Sequence, residues 1–348
     1  SFGSPLMSFL PIHCAGLHLY GGTGVGKTTA MNAALSVWGD HHELMTHQDD
    51  TINSIMNRGE VYHNLPFYMD ELTNKSAMEL SSLVYQLTSG RQKNRMSTGS
   101  NVERKRGKPW KLIALTNANK SIIEKISMAK AMPKAEAQRL MEIETQSMQF
   151  GSKEETDKFN LDLQRNYGHA GREYIRHIIN NAEEVQKLLE TVQIKVDTTA
   201  GLTAENRFWS ALVAATMTGL ILAKRLGLIN YDSKKVFDWV IGRLKDNKNE
   251  VSGMSISVEE TLNDYIHEHW SNVLWIKSTE DLRAQEDGTT NIVIPEALPR
   301  GKLVARYETD LKRAYLIPKP LKAWCVQQQI NYTSFIGELK TNLGAVNT

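Results

Sequence analysis

Cysteine is nearly absent: Cys14 and Cys325 are the only two in 348 residues. That excludes a disulfide framework and a cysteine-rich zinc site, and it fits reduced thiols in a cytoplasmic setting. No charge of one sign dominates. Lys plus Arg number 41 and Asp plus Glu 39, a net +2, so a uniformly basic nucleic-acid coat is excluded and any such surface must be local. No apolar run reaches the roughly 20 residues that a bilayer-spanning helix needs. The best candidate, Phe208 to Leu222, is interrupted by Ser210, Thr216, Thr218 and Gly219 and ends at Lys224-Arg225, which predicts a buried helix. The N-terminus lacks a charged segment and a cleavage site of the secretory kind. No internal repeat or low-complexity tract occurs. The histidines His13, His18, His41, His42 and His47 show no metal-ligand spacing and read as solvated or capping residues. A chain that opens on Ser1 rather than Met is expected to be a piece of a longer protein.

Apolar material is plentiful, at 41% of residues, and the length allows two or three domains. Residues 1–150 alternate short apolar runs with helical patterns, the mark of an α/β core with a parallel sheet. Strands are expected at Leu17–Tyr20, Glu43–Thr46, Pro66–Asp70, Lys111–Thr116 and Arg139–Glu144. Residues 151–252 read as a helical lid or collar, with helices Gly171–Thr191, Thr203–Leu226 and Ser233–Asp246 and a polar linker over 246–253. Residues 253–348 mix helices and short strands, a small α+β module of winged-helix-like character.

The strongest signal is Gly21-Gly22-Thr23-Gly24-Val25-Gly26-Lys27-Thr28, which satisfies G-x-x-x-x-G-K-[ST] completely. Glycines let the backbone wrap phosphates with its N–H groups turned inward. Lys27 supplies a point charge for the β/γ-phosphates, and the Thr28 hydroxyl is a magnesium ligand. An apolar strand precedes the loop, and a helix beginning at Lys27-Thr28-Thr29 presents its N-terminus to the anion. ATP and Mg²⁺ are therefore the expected ligands. The second signal is Leu65-Pro66-Phe67-Tyr68-Met69-Asp70-Glu71, an apolar run ending in paired acids. Asp70 would hold the metal and Glu71 would polarise the attacking water.

Between that pair and the next strand lies a basic segment. Residues 91–111 hold eight basic side chains and one acidic, so +7 sits in a chain of +2 and the remainder carries −5. Arg91, Lys93, Arg95, Arg104, Lys105, Arg106 and Lys108 are the candidate DNA contacts. The turn-rich centre, Ser97-Thr98-Gly99-Ser100-Asn101, predicts two strands and a tight loop. Cations on such a hairpin would give salt-dependent, sequence-blind binding to phosphates.

These residues together resemble a known family. The stretch from Gly16 to Ile143, especially Gly26-Lys27-Thr28-Thr29-Ala30-Met31, Asp70-Glu71-Leu72-Thr73-Asn74, Leu87-Thr88-Ser89-Gly90-Arg91 and Pro133-Lys134-Ala135-Glu136-Ala137-Gln138-Arg139, is similar to the helicase-like ATPase domain of phage and mobile-element replication proteins. These are superfamily 3/AAA+ relatives, often fused to a primase or primase-polymerase. The resemblance implies a homo-oligomeric ring, a hexamer by family habit, driven by ATP along single-stranded or forked DNA. It implies a sensor amide at the end of the strand Lys111–Thr116, where Asn117 stands, with Asn119 as the runner-up. It also implies that an arginine reaches the nucleotide of a neighbouring copy, Arg139 first with Arg91 and Arg172 as alternatives, and that the basic hairpin lines the ring's bore. Any primase module would lie upstream of Ser1. The competing expectation is a DNA-binding AAA+ initiator or helicase loader, which uses ATP as a switch without processive unwinding.

Overall fold

In a computed structural model of the chain, the structure describes residues 1–46, 50–93, 107–129, 133–146, 153–253, 258–276, 298–328 and 330–346. They fall into two compact units, one comprising Ser1–Ala129 with Pro133–Met254, the other Ser255–Thr348.

The first unit is built on five parallel strands. In chain order its elements are β1 (Cys14–Tyr20), α1 (Lys27–Ser36), α2 (His41–Leu44), β2 (Met45–Thr46), α3 (Ile52–Tyr62), β3 (Phe67–Met69), α4 (Ala77–Thr88), β4 (Leu112–Ala118), α5 (Ile122–Ser127), α6 (Lys134–Ala137) and β5 (Leu140–Glu144). The strand order is β2-β3-β4-β1-β5. Every pairing is parallel, with Leu19 opposite Asn117 and Met69 opposite Thr116. All seven residues of β4 are buried, as expected for a central strand covered on both faces. Its apolar spelling, Leu112-Ile113-Ala114-Leu115, follows from that position. Helix α4 starts at a capping box, in which the Ser76 hydroxyl accepts from the Glu79 N–H while the Glu79 carboxylate accepts from the Ser76 N–H.

Five helices complete this unit: α7 (Lys153–Arg165), α8 (His169–Asn180), α9 (Ala182–Ala200), α10 (Arg207–Arg225) and α11 (Ser233–Gly253). The apolar run in α10 is the buried helix that its composition predicts, and no described helix is long and apolar enough to cross a membrane. Other expectations need correction. The helix expected over 171–191 is two helices, because the chain breaks at Asn181, whose side-chain amide donates to the His177 carbonyl at 2.9 Å. The polar stretch 246–253 is not a linker but the last two turns of α11. Asn247 there is buried and donates to the Glu142 carbonyl at 3.2 Å, so its polarity serves a contact with β5. Helix α7 escaped notice because none of its residues is buried, which leaves no apolar stripe to read.

The second unit contains α12 (Val258–Glu268), β6 (Val273–Ile276), β7 (Ala305–Glu308), β8 (Arg313–Leu316), α13 (Pro318–Gln327) and α14 (Tyr332–Leu343). β6 runs parallel to β7, and β7–β8 is an antiparallel pair. The helices close over it through Tyr265, Trp324, Phe335 and Leu339, with the Tyr265 and Trp324 rings 5.2 Å apart.

The N-terminal residues seat against α10 backbone to backbone. A Cβ at Gly219 would lie 2.6 Å from the Gly3 nitrogen, and one at Gly3 would lie 2.7 Å from the Ala215 carbonyl carbon. Gly219→Ala is therefore expected to cost about 1–3 kcal/mol by overpacking. A urea titration followed by circular dichroism checks this; an unchanged midpoint would show that the N-terminal segment does not dock there.

Candidate nucleotide-binding site

A parallel sheet collects the carboxyl ends of its strands at one edge, and loops leaving that edge make the site. β1 delivers the loop Gly21–Gly26, β3 delivers Asp70 and Glu71, and β4 ends at Asn117 and Ala118. The loop holds its shape through Gly24 and Gly26, at φ +80° and +85°, where a side chain would be strained. Gly26 then opens α1, whose first residue is Lys27. The Lys27 ammonium donates to the carbonyls of Gly21 at 2.9 Å and Gly22 at 2.7 Å, spanning the loop from within.

A cleft of about 500 Å³ lies over this edge. Thr23, Gly24, Val25, Gly26, Lys27, Thr28 and Thr29 line one side, with Glu71, Asn117 and Asn119 opposite. Asn117 is 2% exposed and ties the motifs together. Its amide nitrogen donates to the Tyr68 hydroxyl at 3.0 Å and the Thr28 hydroxyl at 3.3 Å, and its carbonyl oxygen accepts from the Glu71 N–H at 2.9 Å. Tyr68 in turn donates to the Asp70 carboxylate at 2.7 Å. Glu71 sits at φ +49°, ψ +72°, a left-handed conformation for a residue with a side chain. Such strain persists only where surrounding contacts over-determine it, and it concentrates at functional sites.

The structure thus brings Lys27, Thr28, Glu71 and Asn117 into one cleft and links Asp70 to them through Tyr68. Arg139 is not among them. It precedes β5, level with Ala15 on β1, about 20 Å along the strand from the loop. There its guanidinium donates to the Ala135 carbonyl at 2.6 Å and lies 4.6 Å from the Tyr85 ring centroid and 5.2 Å from that of Phe208, in a separate cavity of about 800 Å³. The basic segment also leaves and returns at that far end. Trp110, fully buried, donates its backbone N–H to Gly90 and its indole N–H to Leu87, each at 2.9 Å. Arg91, Lys93 and Lys108 are exposed on this stem. Arg95, Arg104, Lys105 and Arg106, and with them the predicted hairpin, lie outside the described residues.

Three features of the site were not read from the sequence. Tyr68 could have been noticed as a hydroxyl two residues before Asp70, where i and i+2 share a strand face. Lys153 and Asp157 of α7 line the cleft, and no pattern marks them. His18 is neither solvated nor a cap: it is fully buried in β1, its Nδ1 accepting from the Thr116 hydroxyl at 2.8 Å and its Nε2–H donating to the Lys120 carbonyl at 3.2 Å, a tautomer assigned from these partners. Burial pushes its pKa down to about 4. Its neighbour Glu142 accepts from the Ser121 hydroxyl and the Ile122 N–H, yet burial carries its pKa up to about 7.

The sequence profile of a domain of unknown function (DUF927) matches residues 1–108. No curated protein matches the chain. Among solved structures, the chain is similar to "SCCmec type IV Cch - active helicase", at 17% identity and a TM-score of 0.65, over 98% of this chain and 61% of that one. At that identity the likeness is one of fold alone. The chain spans less than two thirds of that protein's length.

A raised carboxylate pKa means that the folded state holds a proton the unfolded state has lost. Glu142 therefore stabilises below the ordinary carboxylate range, and that contribution is lost as pH rises through about 7. Glu142→Gln removes this loss. The melting temperature of the variant relative to the parent chain is expected to rise between about pH 5 and pH 8; a constant difference across that range would contradict the assignment.

Proposed function

We propose that the chain is the ATP-dependent motor of a DNA helicase or translocase of the phage and mobile-element kind. The observation that carries this reading is the Asn117 amide, which joins Thr28 of the phosphate loop to the backbone of Glu71 across the cleft. The fold-level likeness to a helicase supports it.

In this reading the loop N–H groups and Lys27 hold the phosphates of ATP. Mg²⁺ fits the donor set, since the Thr28 hydroxyl and the Asp70 carboxylate are hard oxygen ligands joined through one hydrogen-bond chain. A divalent cation held by these oxygens would supply positive charge against the phosphates. Glu71 takes the proton of the attacking water, and Asn117 fixes its position. Arg139 completes the site of a neighbouring copy in a homo-oligomeric ring. Its place at the far end of the sheet suits that role, because its own cleft is out of reach. The basic segment 91–108 leaves the same end and grips single-stranded or forked DNA in the bore. The C-terminal module, winged-helix-like in its β7–β8 hairpin, adds a second contact with DNA or a partner. A primase module upstream and a cytoplasmic location belong to the same proposal.

A DNA-stimulated ATPase assay with a forked substrate tests it. Lys27→Ala is expected to abolish nucleotide binding. Glu71→Gln should keep binding and lose hydrolysis at least about a hundredfold, as removal of a general base does. Neutralising the cations of 91–108 should abolish stimulation by DNA. ATP turnover with an intact fork would favour the initiator or loader instead, and DNA affinity and stimulation unchanged after neutralisation would sink the proposal.

A further inference from the structure

Tyr68 stands two residues before Asp70 on a strand otherwise spelled by apolar side chains, and its ring is fully buried. A phenol is a costly choice for such a place unless its hydroxyl is used, since a buried polar group without a partner loses its hydration for nothing. Here the hydroxyl is used twice. It donates to one Asp70 carboxylate oxygen at 2.7 Å and accepts from the Asn117 amide at 3.0 Å. The same amide nitrogen reaches the Thr28 hydroxyl at 3.3 Å.

The consequence is a closed accounting of donors and acceptors. Asn117 has two amide hydrogens, which go to Tyr68 and Thr28, and its carbonyl receives the Glu71 N–H. The amide cannot flip without turning its oxygen onto the Thr28 side and its nitrogen against the Glu71 N–H. One Asp70 oxygen is committed to Tyr68.

We infer that Tyr68 is a positioning residue of the ATP site, which sets the orientation of the metal-binding Asp70 carboxylate and of the Asn117 amide through a single shared hydroxyl. It touches neither nucleotide nor water itself. It makes two strands, β3 and β4, present their polar groups as one unit, and so specifies where the metal sits relative to the sensor amide. The inference rests on the ATPase reading above.

Tyr68→Phe removes the hydroxyl and keeps the ring. In the full chain, two readouts separate positioning from packing. The first is the rise in melting temperature produced by ATP with Mg²⁺ over that produced by ATP in EDTA, which needs no turnover. The second is the Mg²⁺ concentration that half-saturates ATP hydrolysis. Loss of a partner behind a metal ligand costs about 10- to 100-fold in metal affinity or activity. The Phe variant is thus expected to keep the shift with ATP in EDTA, lose most of the extra shift with Mg²⁺, and need about tenfold more Mg²⁺. Should Tyr68→Phe lower the fold's own stability too far to titrate, the cycle with Asp70→Ala at lower temperature decides. If Tyr68 acts through Asp70, the double variant needs no more Mg²⁺ than Asp70→Ala alone, whereas additive effects overturn the inference. An unchanged Mg²⁺ requirement in Tyr68→Phe also overturns it, provided that Lys27→Ala has lost nucleotide binding. If Lys27→Ala still binds ATP, it is the ATPase reading that fails.

Discussion

Everything at the cleft depends on one neighbour relation: β4 lies between β1 and β3, parallel to both. The register places Leu19 opposite Asn117 and Met69 opposite Thr116, so three strands finish within a residue or two of one another. Only that arrangement lets a single amide reach Thr28 on one side and the backbone of Glu71 on the other. With β1 beside β3, the phosphate loop and the acidic pair would meet directly and leave no place for a third polar group between them. The left-handed backbone of Glu71 is the visible cost of the arrangement, and its N–H bond to Asn117 helps to hold it there.

Much of this core was legible because its residues do two jobs at once. Gly24, Gly26, Lys27 and Thr28 are spelled by phosphate chemistry and by backbone geometry together, which leaves few alternative spellings. β4 reads as a strand because burial on both faces demands an unbroken apolar run. Asp70 and Glu71 follow from their place at a strand's end, and Asn117 from the family resemblance. What escaped notice is what packing decides. His18 looks like any histidine until the strand buries it between Thr116 and Lys120. Tyr68 looks like a core aromatic until its hydroxyl meets two partners from different segments. Asn247 looks like a linker residue, yet it is buried against the Glu142 carbonyl. Each has a partner far away in the chain, Asn117 in the case of Tyr68, and sequence spacing carries no record of those distant contacts.

The sheet also separates two chemistries. At its carboxyl edge the cleft gathers Lys27, Thr28, Glu71 and Asn117. At the other edge stand Arg139 and the stem of the basic segment, with Trp110 sealing that stem against Gly90 and Leu87. β4 runs from one to the other: Trp110 lies just before it and Asn117 near its end. Seven buried strand residues span about 20 Å and do not bend readily, because both faces are packed. A displacement of Asn117 would therefore appear at Trp110 as a shift of the whole strand. In the proposed motor this is how a change at the phosphates would reach the basic segment, since β4 follows Trp110 at one end and carries Asn117 near the other.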